Sequence, residues 1–178
     1  MTTWSVDEHA AWLIAELRTD QAGEAGAVQI YRGIIAVSRN RSVLEFAHRH
    51  MATESCHLED IDSVLPLSQR SHLLPIWRWL GWITGAIPAL FGPTAVFATI
   101  HAVETFVDKH YQAQIDRLRS EGQEPALLAM LERLRGDEIE HMNDAAFRIP
   151  VAQSIFLKAW LKLVTVGSHV AVVFARHL

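Results

Sequence analysis

Four segments of this chain carry apolar residues at helical spacing, and one glutamate interrupts each stripe. A helix advances about 100° per residue, so positions three, four and seven apart share a face. The first stripe is Leu13, Leu17, Val28, Tyr31 and Ile35, with Glu24 inside it. The second is Leu44, Ala47, Met51, Leu58, Ile61 and Leu65, with Glu54 inside. The next is Phe97, Ile100, Val107, Tyr111 and Leu118 around Glu104, and the last is Leu128, Leu131, Leu134, Met142 and Ala145 around Glu138. An unpaired buried carboxylate costs several kcal/mol, whereas a whole domain is stable by about 5–15 kcal/mol. Four such groups must therefore be protonated, paired with cations or bound to metal.

Lys and Arg are nearly absent from the stripes, but two histidines come at the right offset. Glu54-Ser55-Cys56-His57 and Glu138-Ile139-Glu140-His141 place an imidazole one turn after the glutamate. One Glu from each of two helices plus Glu-x-x-His from each of two others is the ligand set of a carboxylate-bridged di-iron or di-manganese site. Hard carboxylates with imidazoles suit either metal. Glu-x-x-His alone is a weak signal in a chain with ten histidines. Glu45-Phe46-Ala47-His48 is a third copy, yet Glu45 lies nine residues before Glu54, about half a turn away in angle, and faces outward. Order and spacing are the stronger signal. Glu24 and Glu54 stand 30 residues apart, Glu104 and Glu138 stand 34 apart, and Tyr31 and Tyr111 each follow the lone Glu by seven. The pattern reads as an internal duplication, each half supplying half a metal site. The alternative is a satisfied structural carboxylate network.

The remaining punctuation sets the topology. Ser5 with Glu8 and Ser42 with Glu45 read as capping boxes, opening helices that run to about Ser38 and to before Pro66. Gly92-Pro93 opens a helix ending near Gly122, and Glu124-Pro125 opens the next, ending before Pro150. A last apolar helix spans about Val151 to Arg176. Two short-looped hairpins joined by one long crossover, residues 66–92, give an all-α, ferritin-like four-helix bundle with an added apolar crossover helix and an apolar C-terminal helix. Residues 1–178 form one domain. A net charge of −4 argues against a nucleic-acid partner. One cysteine excludes a disulfide framework or an intramolecular cysteine cluster. The first residues, MTTWSVDEHAAW, show no basic region followed by an apolar run, so no signal peptide is expected.

Half the residues are hydrophobic and the mean hydropathy is +0.12, so apolar surface is expected outside the core. Trp79 to Ile100 is uncharged for 22 residues, long enough to span a bilayer. Gly81, Gly85, Pro88, Gly92 and Pro93 interrupt it, so it reads instead as a monotopic segment in one leaflet. Trp77, Trp79 and Trp82 are the expected anchors, assisted by Trp160, Lys158 and Lys162. A homo-oligomer interface or extra core is the competing use of this surface. Other residues read more plainly. Gly23 and Gly26 suit either close approach at the site or tight helix packing. Cys56 reads as a small packed thiol. Asp60 and Asp144 are candidates for holding the ligand imidazoles, Asp20 for a similar supporting role. His48, His50, His72, His101 and His169 fit no pattern.

TDQAGEAGAVQIYRG, HRHMATESCHLED, AVETFVDKHYQAQI and GDEIEHMNDA resemble, in order, the four ligand motifs of the demethoxyubiquinone hydroxylase family. The resemblance extends over nearly the whole chain, including the crossover LLPIWRWLGWITGAIPALFG. It implies two iron ions per chain on Glu24, Glu54, His57, Glu104, Glu138 and His141, and a catalytic pair, His110 and Tyr111, serving reduction of the iron. It further implies a monooxygenase of ubiquinone biosynthesis that adds a ring hydroxyl to a polyprenyl benzoquinol using dioxygen. Its place would be the cytoplasmic side of the inner (cell) membrane, peripheral or monotopic. Gln21 stands where the family usually has His, Ala25 replaces an aromatic, and Ile34 replaces a common Gln, departures that bear on substrate rather than metal. No dinucleotide-binding motif is present, so electrons are expected from an external donor, another biosynthetic protein or the quinol itself. A ferroxidase and a di-iron quinol oxidase would share the ligands.

Overall fold

A computed structural model describes residues 11–122, 124–149 and 154–178. Among them are six α-helices and no strand: α1 Ala11–Val37, α2 Arg41–Val64, α3 Leu74–Leu90, α4 Pro93–Glu121, α5 Pro125–Phe147 and α6 Ile155–His177. A single 3-10 turn, Leu67–Gln69, lies between α2 and α3. Helices α1 and α2 form one antiparallel hairpin, α4 and α5 the other. The helices α3 and α6 lie across the face that α1 and α4 share.

The ends of the helices follow local chemistry, with one revision. Asn40, not Ser42, caps α2, its side chain accepting from Val43 N at 3.1 Å. Ser42 falls inside the first turn and instead accepts from Arg148, while Glu45 pairs with Arg41. Ser5 and Glu8 lie outside the described residues. Pro93 and Pro125 open α4 and α5, and Gly122, at φ 66°, closes α4 in the left-handed conformation that glycine adopts without strain. Ser154 caps α6 through Leu157 N.

The bundle buries two apolar clusters, one on each side of the glutamates. Tyr31, Ile34, Phe46, Phe97 and Ile100 fill one end. Leu17, Ile61, Tyr111, Leu118, Leu131 and Leu134 fill the other. The crossover departs from its expected broken form: α3 runs unbroken through Gly81, Gly85 and Pro88. Those glycines are where α3 meets α1. A Cβ on Gly81 would stand 2.4 Å from Gly26 O, one on Gly85 1.9 Å from Ile30 O, and one on Gly33 2.2 Å from Trp82 O. The two backbones touch, which offsets the roughly 1 kcal/mol that each helical glycine costs.

The uncharged stretch is split between α3 and the buried start of α4, so it forms no single span. Among the described residues, α6 is the one helix long and apolar enough to cross a membrane by length and composition. Its outer face exposes Phe156, Leu163, Val166, Val170 and Phe174, and α3 beside it exposes Trp79, Trp82 and Leu80. Trp77 and Trp160 are not outward anchors. Each is half-buried, with Trp77 Nε1 donating to Ser71 Oγ and Trp160 Nε1 to Thr99 Oγ1. Cys56, expected to be packed, is exposed.

Candidate metal centre

The four helices of the bundle bring Glu24, Glu54, His57, Glu104, Glu138 and His141 together, each no more than 3% exposed. Their ligating atoms form two overlapping sets. Glu24, Glu54, His57 and Glu138 make one, Glu54, Glu104, Glu138 and His141 the other, with atoms in each set within 4.8 Å of one another. Glu54 and Glu138 belong to both, as bridging ligands between two ions would. The rejected pair, Glu45 and His48, faces solvent.

His57 Nδ1 lies 3.1 Å from Glu138 Oε1 and 3.7 Å from Glu54 Oε2. His141 Nδ1 lies 3.0 Å from Glu54 Oε1, though without hydrogen-bond geometry. Glu24 Oε2, Glu54 Oε1 and Glu138 Oε2 are likewise buried without a hydrogen-bond partner. Without a cation, burial and then the other carboxylates' charge push Glu54 well above the usual carboxylate range, and Glu104 likewise. Burial and Glu138 raise Glu24 to about 7. Burial would raise Glu138 too, but the imidazoles of His141 and His57 override it and hold it at about 2. Two imidazoles cannot neutralise four acids. Divalent cations can, and inward-facing oxygens and nitrogens of this kind suit iron or manganese. The residues fit the metal pair.

The surrounding residues include some that the pattern had not indicated. Asp137 Oδ2 stands 3.0 Å from His57 Nε2, the outer ring nitrogen. Buried His50 meets the ring of His141 at 4.2 Å between centroids and pairs with Asp144 at 3.0 Å. Asp144 therefore reaches the centre only through His50, and Asp60 pairs with Arg133 at the surface. Two signals were present: His50 shares the stripe of Glu54 and His57, four and seven residues before them, and Asp137 adjoins Glu138. Tyr111 donates to Glu24 Oε1 at 2.5 Å and Tyr31 to Glu104 Oε1 at 3.2 Å. His110 touches no ligand. Its Nε2 lies 2.8 Å from Thr19 Oγ1 and 3.2 Å from Asp20 Oδ1, and Asp20 also accepts from Gln114. Gln21 donates to Asp62, away from the centre, and Ala25 and Ile34 are buried.

A cavity of about 480 Å³ opens beside the centre between α1, α3, α4 and α6. Glu24, Glu54, Glu104 and Glu138 stand at its wall, with Asp20, His110 and Tyr111 near them. The rest of the lining is largely aliphatic, from Ile30, Ile83, Ile87, Val103, Leu163 and Val172. A Cβ on Gly23, also on this wall, would meet nothing within 4 Å.

Four antiparallel helices converging four carboxylates and two Glu-x-x-His imidazoles define a ferritin-like bundle with a carboxylate–histidine centre able to hold two metal ions. The chain belongs to the family of ubiquinone biosynthesis protein COQ7, whose family model matches residues 11–175. It is 42% identical over 137 residues to 3-demethoxyubiquinol 3-hydroxylase of Rhodospirillum rubrum, covering 75% of this chain and 64% of that one. It is 33% identical over 156 residues to the mitochondrial 5-demethoxyubiquinone hydroxylase of Saccharomyces cerevisiae, covering 78% and 67%. The human mitochondrial NADPH-dependent 3-demethoxyubiquinone 3-hydroxylase is 34% identical over 129 residues, covering 70% and 59%. The matches span less than two thirds of the length of the bacterial and human relatives.

Proposed function

We propose that this protein is a di-iron monooxygenase that hydroxylates the ring of a demethoxyubiquinol with dioxygen. The observation that carries this reading is the apolar cavity ending on the carboxylate–histidine centre. A polyprenyl quinol has a polar ring and an apolar tail, and the cavity offers the matching order of surfaces. Glu24 and His57 would hold one iron and Glu104 and His141 the other, with Glu54 and Glu138 shared. Bound iron supplies the activation of dioxygen, one atom going to the ring carbon and the other to water, at the cost of two electrons and two protons from outside.

The protein's own groups do the positioning. Tyr111 and Tyr31 fix one oxygen each of Glu24 and Glu104, leaving the other oxygens for metal. The aliphatic wall excludes water from the ring, and Gly23 leaves room beside Glu24. His110, held through Nε2 by Thr19 and Asp20, lines the same wall, where its ring could exchange a proton with a quinol hydroxyl. The pair His110 and Tyr111 is our candidate for the route by which reduction reaches the centre. The human relative's name carries NADPH dependence, and we assign the external reductant here to the same class. The exposed apolar faces of α3 and α6 flank the cavity and suit a membrane leaflet holding the substrate's tail, on the cytoplasmic side of the inner membrane.

Supplying iron-loaded protein with demethoxyubiquinol, a reductant and isotopically labelled dioxygen tests the reaction. One labelled oxygen in a hydroxylated quinone is the expected result. Oxygen consumption with no hydroxylated product would instead fit a quinol oxidase, and oxidation of iron with the quinol unchanged would fit a ferroxidase.

A further inference from the structure

The internal repeat relates the two donor sets, yet their outer surroundings differ. His57 and His141 both turn Nδ1 towards the carboxylates. On His57 the opposite nitrogen faces Asp137 Oδ2 at 3.0 Å. On His141 no carboxylate of the described residues comes within 4 Å of that nitrogen. The ring meets His50 instead, and the nearby carboxylate, Asp144, is taken by His50, Arg49 and Arg148. The asymmetry is written in the repeat itself: the residue before Glu138 is Asp137, and the residue before Glu54 is Thr53.

We propose that Asp137 makes the two metal positions unequal, so that the Glu24–His57 position fills first and holds its ion more tightly than the Glu104–His141 position. A carboxylate accepting the outer N–H of a ligating imidazole fixes its tautomer, orients the ring and strengthens its donation to the metal. His57 has that support directly, whereas His141 has only a second imidazole beside it. The tyrosines do not supply the difference, because each lone glutamate receives one phenol hydrogen bond. Asp137 is thus a positioning residue that acts through His57.

This inference rests on the reading of the centre as a two-metal site. Anaerobic titration of the metal-free protein with cobalt(II), followed by visible absorption and calorimetry, tests it. Two binding steps separated by about tenfold or more are expected in the unaltered protein. Asp137→Asn should weaken the tighter step by roughly 10–100-fold while leaving the weaker step unchanged. Thr53→Asp, which places a carboxylate at the repeat-related position, should tighten the weaker step and bring the two together. One unresolved step in the unaltered protein, or an Asp137→Asn variant that weakens both steps alike or neither, overturns the proposal. Absence of any metal uptake would overturn the two-metal reading itself, a separate result.

Discussion

Tyr31 and Tyr111 cross over: each stands seven residues after the lone glutamate of its own half and donates to the lone glutamate of the other. The two halves are therefore tied at the centre by hydrogen bonds as well as by shared carboxylates. Tyr111→Phe leaves a buried oxygen of Glu24 without its donor, at a cost of about 1–3 kcal/mol in the metal-free protein. Thermal melting should show that loss, while metal content after loading stays unchanged and reduction of the oxidised centre slows. Glu54→Ala and Glu138→Ala remove ligands common to both sets, so elemental analysis should find both ions lost. Glu45→Ala and His48→Ala should retain them, because both side chains face solvent. The six candidate ligands were legible because a carboxylate inside an apolar stripe has few explanations. His50 and Asp137 were not singled out, because their roles depend on which neighbour faces them across the bundle.

Helix α3 is held against α1 by the absence of side chains. Gly85 leaves Ile30 O where its own Cβ would stand, at 1.9 Å, so Gly85→Val must push the two helices apart. We expect a loss of about 1–3 kcal/mol, as for overpacking elsewhere, together with weaker substrate binding, since both helices line the cavity. Chemical denaturation and KM report the two effects separately. Gly23→Ala is the contrasting change. It meets no atom within 4 Å, so it should stabilise α1 by up to about 1 kcal/mol while narrowing the cavity beside Glu24. A raised KM with a raised melting temperature is the expected signature. In the sequence these glycines look like interruptions of an apolar segment, and their helical role emerges only against a partner helix.

For the molecule as a whole, metal and proton compete for the same buried charge. In the metal-free protein, burial and neighbouring carboxylates raise Glu24 to about 7 and hold Glu54 and Glu104 well above the usual carboxylate range. Burial opposes the charge on His57, but Glu138 and Glu24 raise it to about 9. Glu24 binds more protons folded than unfolded up to about pH 7, and His57 does so between 6.5 and about 9, so the metal-free protein should lose stability as pH rises through 6.5 to 9. Below the window His50, pushed down to about 4 by burial and His141, acts in the opposite sense. Loading with divalent metal replaces those protons, and melting curves of the loaded protein should be flatter across the same range. The outer surface poses a second test. Trp79→Ser with Trp82→Ser removes exposed apolar area from α3 and should reduce flotation with vesicles while leaving metal content unchanged. Trp77→Ser should instead act on stability, since Trp77 bonds to Ser71 and lines the cavity.

The sequence by itself determined the helices, the two hairpins, the crossover and the six side chains that meet at the centre. Each follows from spacing along one helix: apolar periodicity, a glutamate within it, an imidazole one turn on, and proline or glycine at the ends. It did not determine that α3 is a continuous helix seated on α1, that Trp77 and Trp160 turn inward, or that Asp137 backs one ligand histidine while His50 stands beside the other. Nor did it locate the cavity between α3 and α6. These depend on distances between helices far apart in the chain, where a fraction of a turn decides which side chain meets which. Packing of backbone on backbone at Gly81 and Gly85 fixed that rotation.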